Sequence, residues 1–269
     1  MYRYMVIGAH PDDCEYAAGI ALKLLDLGQK VKFLTATNGC SGHYDQMGGA
    51  IAVRRKRETE KVAALVGVEY EMLEIDDGSL TTGLAERKMM MCSIREFNPD
   101  VILTHRPCDY HPDHRATSML VQDCSFMVQV PNVCPLTPAM DHMPAVFYMQ
   151  DFFKKPYPFQ PDLVFDIDSV FDRKMEMLHQ HTSQMYEWLP WVDHNIDPKM
   201  PDEDDNAGRL EWLKRTRGPL CAKFGEDVRD MLVAKYGEAG RHTRYIEALE
   251  LCEYGEQLTK AQLDALFPF

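Results

Sequence analysis

The chain has 269 residues, of which 45% are hydrophobic and 26% are charged. This length suits one α/β domain with additions, and the hydrophobic share is enough for a sizeable core in a soluble protein. The formal net charge of −13 excludes a general binder of phosphate backbones, which needs a basic face, so no nucleic acid partner is predicted.

The chain opens with the pattern of a strand, a turn and a helix. Tyr4–Gly8 is an apolar run typical of a buried strand, and it leads into His10-Pro11-Asp12-Asp13. A helix is predicted over Glu15–Leu27 because apolar residues recur there at near-3.6 spacing, with Gly28 as its C-cap. In an α/β fold such a turn lies at the carboxyl edge of the sheet, where ligand sites form.

Strands and helices alternate along the next part of the chain. The predicted strands are Val31–Ala36, Tyr70–Ile75, Val101–Thr104, Ala145–Met149 and Leu163–Asp166. The predicted helices are one closed by Gly67, one at Leu84–Phe97, one from His114 to about Val130, and one capped by Ser169 that runs through His179. Repeated β–α units imply right-handed crossovers, so they predict a Rossmann-like α/β fold with a mostly parallel sheet flanked by helices.

The pattern changes near residue 185. Residues 1–184 fit one α/β core, and residues 185–269 are predicted to form a helical and strand extension packed on the same domain. Within the extension, Leu210–Tyr236 is predicted to be helical with an interruption at Gly218-Pro219, and Arg244–Leu251 is predicted to be a final strand.

A second histidine-rich turn follows the predicted strand Val101–Thr104. It reads His111-Pro112-Asp113-His114 and, like the first turn, precedes a helical pattern. Because the carboxyl ends of parallel strands share one sheet edge, the two turns can meet there. Two histidines and one carboxylate, with a position left for water, are the usual ligands of a catalytic zinc, and they also suit Fe(II).

The two turns resemble the marks of the LmbE-like, or PIG-L, family of zinc-dependent N-acetylglucosaminyl deacetylases. That family has an AHPDD element near its N-terminus, here at 9–13, and a later HPDH element, here at 111–114. The resemblance extends over roughly residues 1–184, and its further matches are Arg55–Glu58, Leu65–Val68, Asp77–Leu80 and the stretch from Lys174 to Gln184. It implies a hydrolase that removes the N-acetyl group from an N-acetylglucosamine-type sugar or sugar conjugate.

The resemblance also implies a metal site and a general base. It assigns His10, Asp13 and His114 to Zn²⁺ and makes Asp12 the general base. A metal lowers the pKa of a coordinated water to roughly 7, so a carboxylate beside it can take the proton. The alternative for Asp12 is a helix N-cap, and the two roles are compatible.

Four further residues have roles implied by the resemblance. His111 is expected to stabilise the oxyanion as a protonated imidazole, and Asp113 is expected to take part directly or by orienting His111. Arg55 and Asp77 are expected to contact the substrate, with a solvated surface position as the alternative for each. The family places a tyrosine two residues before the first histidine of its HPDH element, whereas this chain has Asp109 there.

An apolar, stiff rim is predicted around the pocket. Trp188 and Trp191 open an aromatic stretch, and residues 131–144 hold four prolines. Aromatic side chains at a pocket mouth suit stacking against a sugar face.

Cysteine usage and hydropathy predict a cytoplasmic protein. The eight cysteines form no C-x-x-C pair, and scattered cysteines of this kind are more often reduced. No apolar run approaches the ~20 residues of a membrane span, and the N-terminus enters a strand without a signal segment. A homo-oligomer is expected from the habit of the family.

Three alternatives stay open. A dinucleotide-binding protein would carry G-x-G-x-x-G in its first turn, where this chain has a proline and two carboxylates. A sugar-binding protein without turnover is the second alternative. The third is the same zinc chemistry on a different amide or ester.

Overall fold

The computed structural model describes residues 1–194, 197 and 199–269. Its strands are β1 (Arg3–Gly8), β2 (Lys30–Thr35), β3 (Glu69–Met72), β4 (Val101–Thr104), β5 (Ala145–Met149), β6 (Leu163–Asp166) and β7 (Ile246–Leu251). Its helices are α1 (Ala18–Asp26), α2 (Gly49–Val66), α3 (Leu84–Phe97), α4 (Pro112–Met127), α5 (Phe171–Gln180), α6 (Leu189–Val192), α7 (Asn206–Ala222), α8 (Arg229–Tyr236), α9 (Glu238–His242) and α10 (Lys260–Leu266).

The strands form one seven-stranded sheet in the order β3-β2-β1-β4-β5-β7-β6. The first five strands pair in parallel, whereas β7 runs antiparallel between β5 and β6. The predicted mostly parallel, Rossmann-like α/β fold is confirmed. Because β7 comes from the C-terminal extension and lies inside the sheet, the extension completes the sheet of the core.

Helices cover both faces of the sheet. Tyr4 and Val6 of β1 pack in one hydrophobic core with α1, α2, α5 and α10. Met5 and Ile7 pack in the opposite core with α3 and α4. A strand that is buried on both faces needs no polar residues, which explains the continuous apolar run before the first turn.

The sheet has its switch point between β1 and β4. From β1 the chain moves outward through β2 to β3, then returns to place β4 on the other side of β1. Crossovers that leave in opposite directions open a crevice at the carboxyl ends of these two strands, where α/β proteins bind ligands. The turn at 10–13 follows β1, and the turn at 111–114 follows β4.

Two predictions about helices are wrong. Pro219 lies inside α7, so Gly218-Pro219 does not interrupt that helix. Packing outweighs the lost hydrogen bond there, since Trp212 is buried and a Cβ atom at Gly218 would lie 3.2 Å from the Phe171 ring. Ser169 does not cap α5, because residues 168–170 form a separate 3₁₀ turn.

All eight cysteines are free thiols, and Cys14 is a buried packing residue whose Sγ donates to the Val6 and Leu34 carbonyl oxygens. Among the helices of the described residues, none has the length and hydrophobicity needed to cross a bilayer.

Candidate active site

The turn after β1 folds back tightly on the end of the strand. Gly8 makes this approach possible, since a Cβ atom there would lie 2.6 Å from the Cβ of Asp13. The Asp13 carboxylate accepts hydrogen bonds from the backbone amides of Ala9 at 3.0 Å and His10 at 2.7 Å. Asp12 has a φ of 144°, a strained conformation of the kind that clusters at functional sites.

Three buried side chains present donor atoms to one point at the carboxyl edge of the sheet. Nδ1 of His10, Oδ2 of Asp13 and Nε2 of His114 form a triangle with sides of 3.2, 3.4 and 3.2 Å. Ligands bound at about 2.0–2.1 Å to a tetrahedral zinc lie about 3.3 Å apart, so the spacing fits a single divalent ion. The structure therefore brings together the three residues predicted to hold the metal.

The surrounding cluster offers other combinations of donors. Groups whose atoms lie within 4.8 Å of one another are His10 with His111 and His114, Asp13 with His105 and His114, and His10 with Asp77 and Asp113. All of them share a residue with the first triangle. The cluster is thus one metal-binding region with several donors around it.

Carboxylates support the two histidines of the triangle. Nε2 of His10 lies 3.2 Å from Oδ1 of Asp77 and 3.3 Å from Oδ2 of Asp113. Nδ1 of His114 lies 3.1 Å from Oδ1 of Asp109. A carboxylate on the far nitrogen of a histidine is the usual support of a metal ligand, because it fixes the ring and raises the basicity of the ligating nitrogen.

His105 packs behind the triangle. Its ring stacks on that of His114 with the centroids 4.0 Å apart, and its Nε2 lies 3.3 Å from Oδ2 of Asp13. Burial and the neighbouring His114 lower the pKa of His105, which favours the neutral ring.

The electrostatics of the cluster favour a cation. Burial opposes the charged form of His114, but Asp13 and Asp109 outweigh it and raise its pKa to about 9. Burial likewise opposes charge on His10, yet Asp113 and Asp13 raise its pKa well above the usual value. Carboxylates that hold protons on both histidines will also stabilise a divalent ion that replaces those protons.

The Asp12 carboxylate pairs with Arg55. Nη2 of Arg55 lies 2.6 Å from Oδ1 of Asp12 and 2.8 Å from the carbonyl oxygen of Pro11. Burial raises the pKa of Asp12 to about 6 even though Arg55 opposes that rise. The loop before α2 leaves room for the guanidinium, since a Cβ atom at Gly39 or Gly42 would lie 2.5 or 2.6 Å from Nη1.

His111 caps the amino end of α4. Its Nδ1 accepts from the Asp113 amide at 3.2 Å, so Nε2 is the nitrogen that can donate. Burial and the nearby His10 and His114 lower the pKa of His111, which favours a neutral donor instead of the protonated imidazole predicted from the sequence. The Asp113 carboxylate contacts His10 and the Gly78 amide. The contact between Asp113 and His111 is made by the backbone amide of Asp113, which donates to Nδ1 of His111.

Comparison with known proteins identifies the family. A family model described as "PIG-L: GlcNAc-PI de-N-acetylase" matches residues 5–125. A diacetylchitobiose deacetylase of Thermococcus kodakarensis is 30% identical over 200 residues, which cover 70% of this chain and 73% of that protein. The chain belongs to the PIG-L family. A probable N-acetyl-α-D-glucosaminyl L-malate deacetylase 2 of Bacillus cereus is 28% identical over 225 residues, which cover 78% of this chain and 93% of that protein.

Solved structures share the fold of this PIG-L family chain. The N,N'-diacetylchitobiose deacetylase of Pyrococcus horikoshii superposes with a TM-score of 0.68 at 22% identity, covering 94% of this chain and 84% of that one. The 4-carboxy-2-hydroxymuconate hydratase of Pseudomonas putida KT2440 superposes with a TM-score of 0.70 at 19% identity, covering 97% and 99%. At these identities the likeness shows the fold alone, and that fold serves both a deacetylase and a hydratase.

A cavity of about 640 Å³ opens onto the donor triangle. Its size falls in the usual range for small-molecule sites, roughly 300–1,000 Å³. The half next to the triangle, here called the near half, is lined by every predicted site residue except Asp113. The other half, here called the far half, is lined by side chains from α1, α5, α7 and β7. Arg55 and Asp77 both line the cavity and are only 2% and 9% exposed, so the alternative of a solvated surface position is wrong for each.

The rim differs in part from the prediction. Trp188 lines the cavity, and Trp191 stacks behind it with the ring centroids 5.4 Å apart. The prediction that residues 131–144 border the site is wrong, since none of them is among the described residues that line the cavity. Arg95 of α3 binds the carbonyl oxygens of Val128 and Val133, which holds this loop at the amino edge of the sheet, opposite the site.

Sequence reasoning missed four residues of the site in this PIG-L family chain. Asp109 stands where a tyrosine was expected, and it supports His114. Tyr16 and Tyr110 line the cavity and expose 60% and 71% of their surface, so the site has phenol groups from other positions. Arg217 of α7 also lines the cavity. Asp109 and Tyr110 directly precede the HPDH element at 111–114, and this position was the one available signal.

Proposed function

We propose that this chain is a metal-dependent N-deacetylase that removes the acetyl group from an N-acetylglucosamine-type sugar or sugar conjugate. The observation that carries the proposal is the triangle of donors from His10, Asp13 and His114, with Asp12 in the same turn and lining the same cavity. The deacetylases among the relatives support the same reaction. Zinc is the metal that we propose, because two nitrogens and one oxygen at tetrahedral spacing suit it, although the set also suits Fe(II).

Each residue of the near half has a proposed task. A zinc ion held by the triangle supplies Lewis acidity to the reaction. Asp12 is ionised near neutral pH, since its pKa is about 6, and it accepts the proton of the attacking water. His111 donates a hydrogen bond from Nε2 to the oxyanion of the tetrahedral intermediate.

Arg55 and Asp77 are proposed to contact the substrate. Both line the cavity, and Nε of Arg55 is buried without a hydrogen-bond partner among the described residues. Arg55 already holds Asp12 through Nη2, so it would also fix the general base next to the substrate.

The test is a hydrolysis assay on metal-stripped protein before and after reloading with zinc. The panel contains diacetylchitobiose, simple N-acetylglucosaminides, an N-acetyl amino acid and an acetate ester, and the readouts are free amine and acetate. We expect zinc-dependent release from the amino sugars, with His114→Ala inactive and poor in metal. A zinc-loaded wild-type protein that releases acetate from none of the amino sugars would overturn the proposal.

The same assay separates the alternatives. Release from the amino acid or the ester alone would favour the same zinc chemistry on a different amide or ester. Binding of an amino sugar without release would favour a sugar-binding protein. The dinucleotide-binding alternative loses its basis, because the first turn holds two carboxylates, Asp12 and the buried Asp13, at the place where that class binds a pyrophosphate.

A further inference from the structure

The far half of the cavity contains a positively charged side chain, Arg217, that has no task in the proposed deacetylation. The cavity is lined by the side chains of Arg55, Arg106, Lys174 and Arg217, besides its histidines. The first three are each engaged with a carboxylate. Arg55 pairs with Asp12 at 2.6 Å, Arg106 with Asp151 at 2.8 Å, and Lys174 with Glu247 at 2.6 Å.

Arg217 differs from these three cations. Its side chain makes no hydrogen bond and no ion pair with any residue among 1–194, 197 and 199–269. It is half-buried, so the side chain is partly removed from water without gaining a partner among the described residues. Arginine presents a planar fork of donors that suits the bidentate binding of a carboxylate or a phosphate.

The surroundings of Arg217 indicate where its partner would lie. Leu220 and Cys221, the neighbours of Arg217 on α7, line the same cavity, as does Ile20 on α1. Tyr16, which lies just before α1, lines the same cavity. A cation on an apolar wall of the cavity that holds the metal triangle suits an anionic group attached to the substrate.

We propose that Arg217 binds an anionic group, a carboxylate or a phosphate, carried by the aglycone of the substrate. This inference rests on the proposed deacetylation, and it narrows the substrate class to acidic conjugates of an N-acetylated amino sugar. The acetamido group would lie at the metal triangle, and the sugar would lie between it and the wall formed by α7. Arg217 would then act as a specificity-determining residue.

The test compares matched substrates and matched variants. The substrates are an N-acetylglucosaminyl glycolate, its neutral amide and N-acetylglucosamine 1-phosphate. The proteins are the wild type, Arg217→Gln, Arg217→Lys and the control Arg215→Gln, all loaded with zinc and checked for metal content and thermal unfolding. Arg215 is a suitable control because it lies on the same helix with its side chain 62% exposed.

The measured quantity is the ratio of kcat/KM for an anionic substrate to that for the neutral amide. We expect the wild type to prefer an anion, Arg217→Gln to lower the ratio about 10- to 100-fold, and Arg217→Lys to lie between them. Arg215→Gln should keep the wild-type ratio. A loss confined to the glycolate identifies a carboxylate, and a loss confined to the 1-phosphate identifies a phosphate.

Two results would overturn the inference and leave the deacetylase proposal intact. One is wild-type hydrolysis of the amide as fast as of both anions, and the other is an unchanged ratio in Arg217→Gln. If no substrate is hydrolysed, the deacetylase proposal fails, and calorimetric binding of the same glycosides still tests Arg217. If wild type and Arg217→Gln then bind the glycolate with equal affinity, and likewise the 1-phosphate, the proposed anion binding by Arg217 is rejected.

Discussion

The two halves of the cavity are built in different ways. The metal triangle of the near half comes from two short turns, 10–13 and 111–114, which follow adjacent strands and meet at the switch point of the sheet. The far half comes from side chains of α1, α5, α7 and β7 that lie far apart in sequence. The proposed deacetylation therefore depends on local motifs, whereas the proposed recognition of the rest of the substrate depends on tertiary packing.

The largest expected effect falls in the near half and separates the two adjacent carboxylates. Asp12→Asn cannot accept a proton, so kcat should drop by about 10²–10⁴ while zinc content stays near that of the wild type. Asp13→Asn should lose zinc as well, because Oδ2 of Asp13 is part of the donor triangle. Metal analysis and deacetylation rates of the two variants check the prediction, and an exchange of the two results would exchange the two roles.

Breaking the buried ion pair between Lys174 and Glu247 in the far half should lower the stability of the protein. Lys174→Met leaves the buried Glu247 carboxylate without its partner, so the free energy of unfolding should fall by about 3 kcal/mol. Glu247 also accepts from the Gly19 and Ile20 amides at the start of α1, so that helix should loosen. Arg173→Gln is the control, since its pair with Asp26 is exposed and should contribute little.

The same pair predicts a dependence of stability on pH. Burial opposes charge on Lys174, but Glu247 outweighs it and raises its pKa above the usual 10.5. The unfolded chain therefore loses this proton first as the pH rises. The contribution of the pair to stability should be complete below pH 10.5 and should be lost as the pH rises through the higher pKa of the folded state. Urea unfolding of wild type and Lys174→Met should converge there, and a constant difference would contradict the prediction.

A carboxylate that supports a metal ligand should matter less than the ligand itself. Asp109→Asn keeps the shape of the side chain at 3.1 Å from Nδ1 of His114 but removes its charge. Zinc affinity should fall about 10- to 100-fold, the usual effect of losing such a support. Competition with a chelator measures it, with Asp141→Asn as an exposed control. Unchanged zinc affinity would show that Asp109 does not support His114 as a ligand. Its role would then be to accept the hydrogen bond from the His111 amide.

The smallest expected effect concerns the rim. Trp188→Ala should raise KM about 3- to 10-fold with unchanged zinc content, since an aromatic stacking contact contributes about 0.5–1.5 kcal/mol. Trp191→Ala should have a weaker effect, because Trp191 touches the cavity only through its stacking on Trp188. Steady-state kinetics on the best substrate check both variants, and equal KM values in all three proteins would make Trp188 a packing residue.

The fold and the donor triangle could be predicted from the sequence for one physical reason. Strand ends, a proline and adjacent carboxylates are local signals, and a parallel sheet brings consecutive strand ends to one edge. The bounds of β4, β5, β6 and α3 agree with the prediction. The contacts that no local signal encodes had to come from the structure, and the pairing of Asp109 with His114 is one example.

The far half could not be predicted because its residues become neighbours only after β7 enters the sheet. Arg217 lies on α7, the helix that was wrongly predicted to be interrupted. That its charge has no partner in the described part of the chain can be seen only when the neighbouring side chains are known. The loop 131–144 shows the reverse case. Its place in the chain, between α4 and β5, agrees with the prediction. Its place in the fold does not, because the loop lies at the amino edge of the sheet and not at the edge that holds the site.

We propose that one metal ion is held by His10, Asp13 and His114. Anomalous X-ray scattering at the zinc edge from crystals of the zinc-loaded protein tests it directly. We predict one strong peak per chain, within about 2.0–2.2 Å of Nδ1 of His10, Oδ2 of Asp13 and Nε2 of His114. A peak next to His10, Asp77 and Asp113 instead, or no peak at this edge of the sheet, would contradict this assignment of the metal ligands.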